Sequence, residues 1–425
     1  MPKPAVLVID IGTSVLKTTL FDYRCRVLDR VERPHPNLDN GQAAEAWWNA
    51  AAESIRQLVR RHREYRVEVI GLTGFMHEVV AVDQMGKPIA FDPEPRHVRF
   101  SYKTLIERFG VRQLYNLTGS RMDPTSVPPR LAAWCRTDAA SFETIRQILP
   151  VKDFLRYRLT GTFATDPIDA VGTMLCDLHR RQWDTGLLAW CELDPAQLPP
   201  VVPCTDLAGN LTATAAAALQ LATGTPVSVG GGDDIEILGC GARGPCELCE
   251  HLGTTGSLLV AATEPREDPR MRLELYPGVC AGDWIIGASC SNVARAFDWF
   301  LQLSTYSSNG TIDWPRVQSD LDSAVRRLDS SSPMFLPYLT GERAPLWEPD
   351  LSASWHGLRS SHGQPELLAS VVEGICFSLR SLFDAFAPLG LNIDTVFSSG
   401  RLEPAGHAGT SRLHLRPADA LRGRR

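Results

Sequence analysis

The sequence lacks the glycine-rich GxxxxGK(S/T) loop that binds phosphates in many nucleotide-binding proteins, which occurs nowhere in its 425 residues. It also lacks any apolar run of roughly 18 residues, so we expect no membrane partner. The net charge of −6 provides no attraction to nucleic acid, and we expect no nucleic-acid partner. With 44% hydrophobic and 22% charged residues, the chain is typical of a globular enzyme with about two or three domains.

Cysteine is present, but not in a pattern that indicates a metal site. The 11 cysteines are scattered through mostly apolar stretches, as expected of buried thiols in a reducing cytosol. Cys246 and Cys249 form a CxxC pair, and the second pair that a structural zinc site needs is missing. Met1 to Pro4 leads straight into a strand pattern, so we expect no signal peptide and a cytoplasmic location.

The stretch Val6–Asp22 carries the clearest chemical signal. Two runs of β-forming residues are joined at Gly12, Thr13 and Ser14, which predicts a hairpin. Glycine lets a ligand approach the backbone closely, and the N–H and hydroxyl groups of such a turn can hold phosphate oxygens. Asp10 stands beside the turn as a candidate ligand of Mg²⁺ or its waters. A tight hairpin with an aspartate that caps its turn explains these residues equally well.

A second polar loop, residues 73–78, separates two predicted strands at Val67–Leu72 and Val79–Asp83. It contains His77 and Glu78, which at strand ends are placed to touch a polar ligand. A hydrogen-bonded structural histidine is the alternative. The amphipathic pattern of Ala43–Arg63 predicts a helix before this loop, and Ala139–Gln147 and Ala294–Leu303 also fit helices. Strands, a helix and further strands are the order of a ribonuclease-H-like α/β lobe.

Two further glycine-rich segments follow. The strand 227–229 runs into Gly230–Asp234, and such a glycine run is unfavourable unless something must approach it closely. Of the two adjacent aspartates at its end, one suits a helix cap and the other a general base. His251–Ser257 is a turn of glycine and hydroxyl residues before another strand, similar to the turn at Gly12. Two such turns could hold the phosphates of a nucleotide.

In combination, these segments resemble the FGGY carbohydrate kinases. The first phosphate motif of that family resembles VLVIDIGTSVLKTTLFD, and its sugar-contacting loop is similar to GFMHEVVAVDQMGKPI. Its catalytic strand resembles GTPVSVGGGDD, and its second phosphate loop resembles HLGTTGS. LPVKDFLRYRLTGTFATDPIDAVGTMLCD and PYLTGERAPLWEPD also match family segments. The resemblance covers about residues 5 to 400.

The resemblance implies an α/β fold with two ribonuclease-H-like lobes and an active-site cleft between them. The first lobe would cover residues 1–228, the second residues 229–400, and an arginine-rich, divergent tail residues 401–425. The cofactors implied are ATP and Mg²⁺, and the partner implied is a small-molecule sugar. The resemblance leaves open whether the protein forms a homodimer.

The resemblance also implies residue roles. Asp233 would be the general base, and Asp10 and Asp233 would be the metal ligands. The residues implied for ATP are Asp10, Gly12, Thr13, Ser14, Lys17, Gly253, Thr254 and Thr255. The residues implied for the sugar are Met76, His77, Glu94, Arg96 and Asp233.

Two departures from the family pattern matter. Asp92 stands where most of the family has a tryptophan near the sugar, which predicts altered sugar choice or weaker sugar binding. The family also continues past a position like Gly400 through a loop that holds adenine, whereas here residues 401–425 follow. A shifted frame or a truncated copy is one interpretation, and a genuine divergent end is the other. Residues 396–398 are then expected to form an unprotected strand edge.

Three functions are therefore weighed. The first is an ATP-dependent pentulose kinase similar to xylulokinases. The second is a gluconate kinase, or a kinase of another sugar acid or polyol. The third is a catalytically impaired remnant. A DNA-binding regulator is disfavoured because the chain is acidic and no helix-turn-helix pattern precedes Val6.

Overall fold

The protein is described by a computed structural model. It describes residues 2–35, 41–235, 237–238, 244, 246–400 and 411–414, without the side chains of 41, 42 and 411–414. Apart from the backbone of 411–414, the predicted divergent tail therefore lies outside the described residues. Within the described part, no helix is both long enough and apolar enough to cross a bilayer.

The chain divides into two compact units. The first comprises Met1–Ile235 together with Tyr276–Trp284, and the second comprises Glu236–Leu275 together with Ile285–Arg425. Both contain helices and a mixed β-sheet, so the predicted two-part α/β fold is confirmed. The first unit includes residues 229–235, which the sequence analysis assigned to the second lobe.

The strands up to residue 235 are β1 (Lys3–Ile11), β2 (Val15–Asp22), β3 (Val27–Pro34), β4 (Tyr65–Gly74), β5 (Val79–Val82), β6 (Pro88–Ile89), β7 (Gln147–Pro150), β8 (Cys176–Asp177), β9 (Gln182–Trp183), β10 (Leu207–Asn210), β11 (Pro226–Ser228) and β12 (Gly231–Gly232). The helices are α1 (Gly41–Arg61), α2 (Pro95–Phe109), α3 (Val111–Thr118), α4 (Val127–Thr137), α5 (Ala139–Phe142), α6 (Val151–Thr160), α7 (Pro167–Gly172), α8 (Thr185–Trp190) and α9 (Ala213–Leu219), with 3₁₀ turns at Pro195–Gln197 and Asp233–Ile235.

The main sheet of the first unit has the strand order β10-β11-β4-β1-β2-β3, and β12 also pairs with β4. β1 is antiparallel to β2 and parallel to β4, which in turn is parallel to β11 and β12. Alternate residues of β1 are buried, as the period of a strand requires. Helix α1 lies over this face and buries Trp47, Ile55 and Leu58 in the same apolar core. The predicted helix at Ala43–Arg63 is thereby confirmed.

A smaller sheet, β6-β5-β7, has its own apolar core with helices α2 to α5 and α8. The sequence pattern predicted one helix over 139–147, but α5 ends at Phe142 and residues 147–150 form β7 instead. All four residues of β7 are buried and pair with β5. Burial of this strand beside β5 therefore prevails over the helical pattern of the residues before it.

The strands after residue 235 are β13 (Glu247–Leu252), β14 (Gly256–Ala262), β15 (Glu274–Pro277), β16 (Trp284–Cys290), β17 (Ser307–Ser308), β18 (Thr311–Ile312), β19 (Met334–Leu336), β20 (Ser354–His356), β21 (Thr395–Gly400) and β22 (Ser411–His414). The helices are α10 (Ala294–Leu303), α11 (Trp314–Val325) and α12 (Gln364–Asp384), with a 3₁₀ turn at Ala387–Leu389.

The large sheet formed by these strands has the order β15-β16-β14-β13-β21-β22. β13 and β14 form an antiparallel hairpin, and β13 is parallel to β21. The prediction of an unprotected edge at residues 396–398 is wrong, because β21 is hydrogen-bonded to β13 on one side and to β22 on the other. Helix α12 begins with Pro365 at its first turn and the Glu366 carboxylate on the Gly363 N–H, 3.0 Å away.

Candidate active site

Three strands of the first unit end side by side. In the register of the sheet, Asp10 on β1 and Gly231 on β12 both lie opposite Thr73 on β4. All three strands are parallel, so their carboxyl ends meet at one edge, where open α/β sheets bind ligands. Asp233 directly follows β12, and His77 lies in the loop after β4. Strands β1 and β12 are roughly 10 Å apart, two strand spacings, because only β4 separates them.

The turn after β1 is closed by a backbone hydrogen bond. The N–H of Gly12 donates to the carbonyl of Val15 over 3.0 Å. A Cβ added to Gly12 would lie 2.9 Å from that same carbonyl oxygen, so only glycine fits without a shift of the backbone. Thr13 and Ser14 at the tip are exposed. The hydroxyl groups that the sequence assigned to phosphate are therefore accessible to a ligand.

His35 supports this turn and was missed by the sequence analysis. Its backbone N–H donates to the Ser14 carbonyl over 3.1 Å, and its Nε2 donates to the Gly12 carbonyl over 2.9 Å. In a trans peptide, the carbonyl and the following N–H point in opposite directions. Because the Gly12 carbonyl points to the buried His35 ring, the N–H of Thr13 points away from it. Trp47 packs edge-on against the His35 ring at 6.2 Å.

Asp10 and Lys17 form an ion pair across the hairpin. They are directly paired in the strand register, and Lys17 Nζ lies 3.2 Å from Asp10 Oδ2. Both side chains are about one-third exposed, at 38% for Lys17 and 32% for Asp10. An ion pair of this exposure contributes little to stability. Because both groups are partly exposed, a charged ligand can reach them.

The turn between β13 and β14 in the second unit is supported in a different way. The carbonyl of Gly253 accepts from the N–H of Ala294 over 3.0 Å, and the carbonyl of Thr254 accepts from Val293 and Arg295 over 3.3 and 3.2 Å. These donors belong to the start of α10. By the same peptide geometry, the N–H groups of Thr254 and Thr255 point away from that helix. The side chains of both threonines are exposed.

The glycines before Asp233 allow close approach of the backbone to its neighbours. Gly230 has a φ of +75°, and a Cβ there would lie 2.0 Å from the Leu72 carbonyl oxygen. A Cβ on Gly232 would lie 2.6 Å from the sulfur of Met76. The run is thus explained by packing on β4 and Met76, and it delivers Asp233 into an exposed position in a 3₁₀ turn. Asp234 beside it is half-buried.

Met76 and His77 occupy different positions in the loop after β4. Met76 is 7% exposed and packs between Gly232 and Gly172, where an added Cβ would lie 2.6 Å from its Cε. His77 has a φ of +66°, which is uncommon for a residue with a side chain. Its Nδ1 lies 2.9 Å from the Gly172 carbonyl oxygen, and its Nε2 lies 3.3 Å from the Tyr276 hydroxyl. The loop is therefore held by both helix α7 and Tyr276.

The two predicted sugar-contacting segments are linked through Arg130. Glu78 accepts from Arg130 Nη1 over 2.8 Å, and the Arg130 guanidinium lies 5.3 Å above the Phe91 ring. Glu94 and Arg96, which follow Phe91, form an exposed ion pair with each other at 2.7 Å. They stand at the start of helix α2.

A buried ion cluster underlies this edge and was also missed. The ammonium group of Lys152 contacts Asp153 and Asp166 at 2.7 Å and Asp169 at 3.1 Å, and all are buried. Burial disfavours the charged lysine, but these carboxylates together raise the pKa of Lys152. A carboxylate oxygen of Asp169 would lie 3.2 Å from a Cβ on Gly232. The lysine occupies the centre where the three carboxylates could otherwise hold a cation.

The fold and this edge define the class of protein, an α/β enzyme whose polar side chains gather where parallel strands end. The family model for the N-terminal domain of the FGGY carbohydrate kinases matches residues 5–238, and that for the C-terminal domain matches residues 251–402. The chain therefore belongs to the FGGY family of carbohydrate kinases, enzymes that transfer a phosphoryl group to a carbohydrate hydroxyl. Kinases of this family use ATP with Mg²⁺.

Individual relatives agree with the family assignment. The chain is 29% identical to the xylulose kinase of Escherichia coli K12 over 396 residues, 91% of this chain and 80% of that protein. It is 25% identical to the gluconokinase of Bacillus subtilis 168 over 394 residues, 89% of this chain and 76% of that protein. The crystal structure of gluconate kinase from Lactobacillus acidophilus shares the fold at a TM-score of 0.83, with 22% identity, over 93% of this chain and 81% of that one.

Proposed function

We propose that this kinase transfers the γ-phosphoryl group of ATP to a hydroxyl of a pentulose, with xylulose as the leading substrate. The similarity to the xylulose kinase of Escherichia coli supports the choice of sugar. The observation that carries the chemistry is the register of the sheet. It aligns Asp10 on β1 with Gly231, two residues before Asp233, so that the two carboxylates lie at the ends of strands on either side of β4.

In this proposal Asp233 is the general base. It takes the proton from the sugar hydroxyl as that oxygen attacks the phosphorus, a contribution of roughly 10²- to 10⁴-fold in rate. The exposure of Asp233 after the glycine run supports this role, because a base must reach its substrate. His77 and Met76 hold the sugar, His77 through its ring and Met76 by shaping the loop. Glu94 and Arg96 are proposed as additional sugar contacts.

The proposed phosphate contacts are the two hairpin turns. Thr13, Thr254 and Thr255 have exposed hydroxyls and N–H groups that point away from their supports, which fits phosphate oxygens. Gly12, Ser14 and Gly253 shape these turns, and Lys17 can neutralise a phosphate charge.

The two carboxylates proposed as metal ligands also fit Mg²⁺. Asp10 is a partly exposed carboxylate, which is the kind of oxygen ligand that Mg²⁺ takes directly or through water, and Asp233 is the second ligand proposed. Mg²⁺, when bound, supplies charge neutralisation on the phosphates. Within the chain, Lys17 balances the Asp10 carboxylate and holds it at the mouth of the turn.

The test is ADP release with Mg·ATP and a panel of xylulose, ribulose, gluconate and glycerol. Asp233→Asn should lower kcat by roughly 10²-fold or more because the base is lost. Asp234→Asn is the matched control, since it removes the neighbouring carboxylate, and it should retain most of the activity. Equal activity of wild type and Asp233→Asn would contradict the assignment of the base.

Gluconate is the second candidate substrate, because the gluconokinase of Bacillus subtilis matches nearly as much of the chain as the xylulose kinase does. A higher kcat/KM for gluconate than for xylulose would decide for it. If the unmodified chain neither binds ATP nor releases ADP with any sugar of the panel, it is a catalytically impaired remnant. The proposal also takes the chain to be cytoplasmic. A homodimer stays open, and the mass of the protein in solution decides between monomer and dimer.

A further inference from the structure

Both ring nitrogens of His77 are engaged within the first unit. The Gly172 carbonyl, 2.9 Å from Nδ1, can only accept a hydrogen bond, so Nδ1 carries the proton. In the neutral ring, Nε2 is then an acceptor, and the Tyr276 hydroxyl 3.3 Å away is its donor. The structure thus favours one tautomer and one ring orientation of His77.

Tyr276 is a central member of a short series of hydrogen bonds rather than a surface residue. It is 1% exposed, and its hydroxyl also accepts from the Ser120 hydroxyl over 3.3 Å. Its ring lies 6.2 Å from that of His77 at an interplanar angle of 56°. This series of hydrogen bonds runs from Ser120 through Tyr276 to His77 and ends at the Gly172 carbonyl. Because a buried hydroxyl cannot turn to water instead, the partners fix one another.

We propose that Tyr276 is a positioning residue for sugar binding, which acts through His77 and does not itself touch the sugar. The proposal rests on the sugar-binding role proposed for His77. His77 is half-buried, so its accessible face has an orientation that Tyr276 and Gly172 set. Loss of the Tyr276 hydroxyl removes the hydrogen bond at Nε2, so the Gly172 carbonyl still sets the tautomer but the ring orientation is less restrained. The members of this series of hydrogen bonds are Ser120, Tyr276, His77 and Gly172, which are not residues of the hairpin turns proposed for ATP.

The main test is Tyr276→Phe, which keeps the buried ring and removes the hydroxyl. The KM for the sugar should rise roughly fivefold to tenfold, the equivalent of one hydrogen bond, with kcat within about twofold and the KM for ATP unchanged. Tyr306→Phe is the matched control. Tyr306 is also 1% exposed, and its hydroxyl donates to Asp320 over 2.8 Å in the second unit. It should lower thermal stability comparably and leave the sugar KM unchanged.

A double-mutant cycle separates action through His77 from a general loss of stability. In a His77→Ala background, Tyr276→Phe should have no further effect on the sugar KM. ¹⁵N NMR of the histidine rings should show the Nδ1-protonated form of His77 in both proteins, with the Nε2 chemical shift altered in Tyr276→Phe because its hydrogen bond is lost. An unchanged sugar KM in Tyr276→Phe, additive effects in the cycle, or an unchanged Nε2 chemical shift would each overturn this proposal alone. A wild type that phosphorylates no sugar would overturn the proposed function, and this proposal with it.

Discussion

The two hairpin turns expose similar groups but are supported by different means. Ile11 pairs with Leu16 across the first, which leaves residues 12–15 in the turn, whereas Leu252 pairs with Gly256 across the second, which leaves residues 253–255. The first turn depends on the side chain of His35, and the second on backbone N–H groups around the start of α10. A single substitution can therefore remove a support of the first turn but not of the second.

The two hairpins also differ in charge. Two residues before the turn glycine, the first has Asp10 and the second has His251. The residue opposite Asp10 is Lys17, and the residue opposite His251 is Ser257. His251 Nδ1 lies 3.1 Å from the Ser399 hydroxyl on β21, so it is tied to its own sheet. The comparison teaches that a similar display of hydroxyls can be accompanied by a carboxylate in one unit and by a histidine in the other.

The largest expected effect comes from Gly12→Ala. The new Cβ would lie 2.9 Å from the Val15 carbonyl oxygen, so the backbone of the turn must move. We expect kcat/KM for ATP to fall by roughly 10²-fold, as a displacement of about 1 Å in a binding group can cause. Steady-state kinetics with ATP as the varied substrate measure this.

Gly253→Ala is the comparison for that experiment. Its Cβ would lie 3.1 Å from Nε2 of His251, a side-chain atom that can give way more easily than backbone. We expect a loss of only a few-fold in kcat/KM for ATP, since the backbone supports of this turn remain. A larger loss for Gly253→Ala than for Gly12→Ala would show that the second turn is the less tolerant one.

A smaller effect is expected from His35→Phe, which keeps a ring against Trp47 but removes the hydrogen bond to the Gly12 carbonyl. One such bond is worth about 1 kcal/mol, or roughly a fivefold rise in the KM for ATP. His35→Gln, which retains an N–H donor, should recover part of the loss. The sugar KM should stay as in the wild type.

The matching change in the second unit is Val293→Ala. It removes buried methyl groups but leaves the backbone N–H that donates to Thr254. The melting temperature should fall because a small cavity forms, while the KM for ATP stays constant. If His35→Phe and Val293→Ala alter the KM for ATP equally, the distinction between side-chain and backbone support does not hold.

The smallest effect is a pH dependence of stability at Glu250 on β13. Burial raises the pKa of this carboxyl above its ordinary value, and the Ser398 hydroxyl at 2.9 Å opposes that rise. A carboxyl whose pKa rises on folding stabilises the fold below its unfolded pKa, and this contribution disappears as the pH passes through the folded pKa. The Glu250→Gln variant has no titratable carboxyl group at this position. The unfolding free energy of the wild type, relative to Glu250→Gln, should therefore decrease from pH 5 to pH 8 in urea titrations.

Much of the fold follows from local patterns. The hairpin of β1 and β2 and the long helices α1 and α10 lie close to where apolar periodicity placed them, because each has one continuous buried face. The exception at 139–150 is instructive. A strand as short as β7 becomes stable only beside β5, more than 60 residues earlier, and no local pattern records that pairing.

The site was predicted unevenly for the same reason. Asp10, Gly12 and Asp233 carry local signals, since carboxylates next to glycines at strand ends are visible in the sequence. His35 and Tyr276 contact partners distant in the chain, and two of the three carboxylates around Lys152, Asp166 and Asp169, lie in later segments that no local pattern links to it. The adjacent charges of Lys152 and Asp153 at the start of an apolar helix were the one available signal of the buried cluster.

The first unit is not continuous in the chain, because it includes Tyr276–Trp284 from beyond residue 235. During synthesis, the sheet of β1, β4 and β12 can assemble once residue 235 has left the ribosome. His77, however, must wait for Tyr276, about 40 residues later in translation. A nascent chain released before that point would have its strand ends and its aspartates in place, while the histidine of the loop after β4 would still be without its tyrosine.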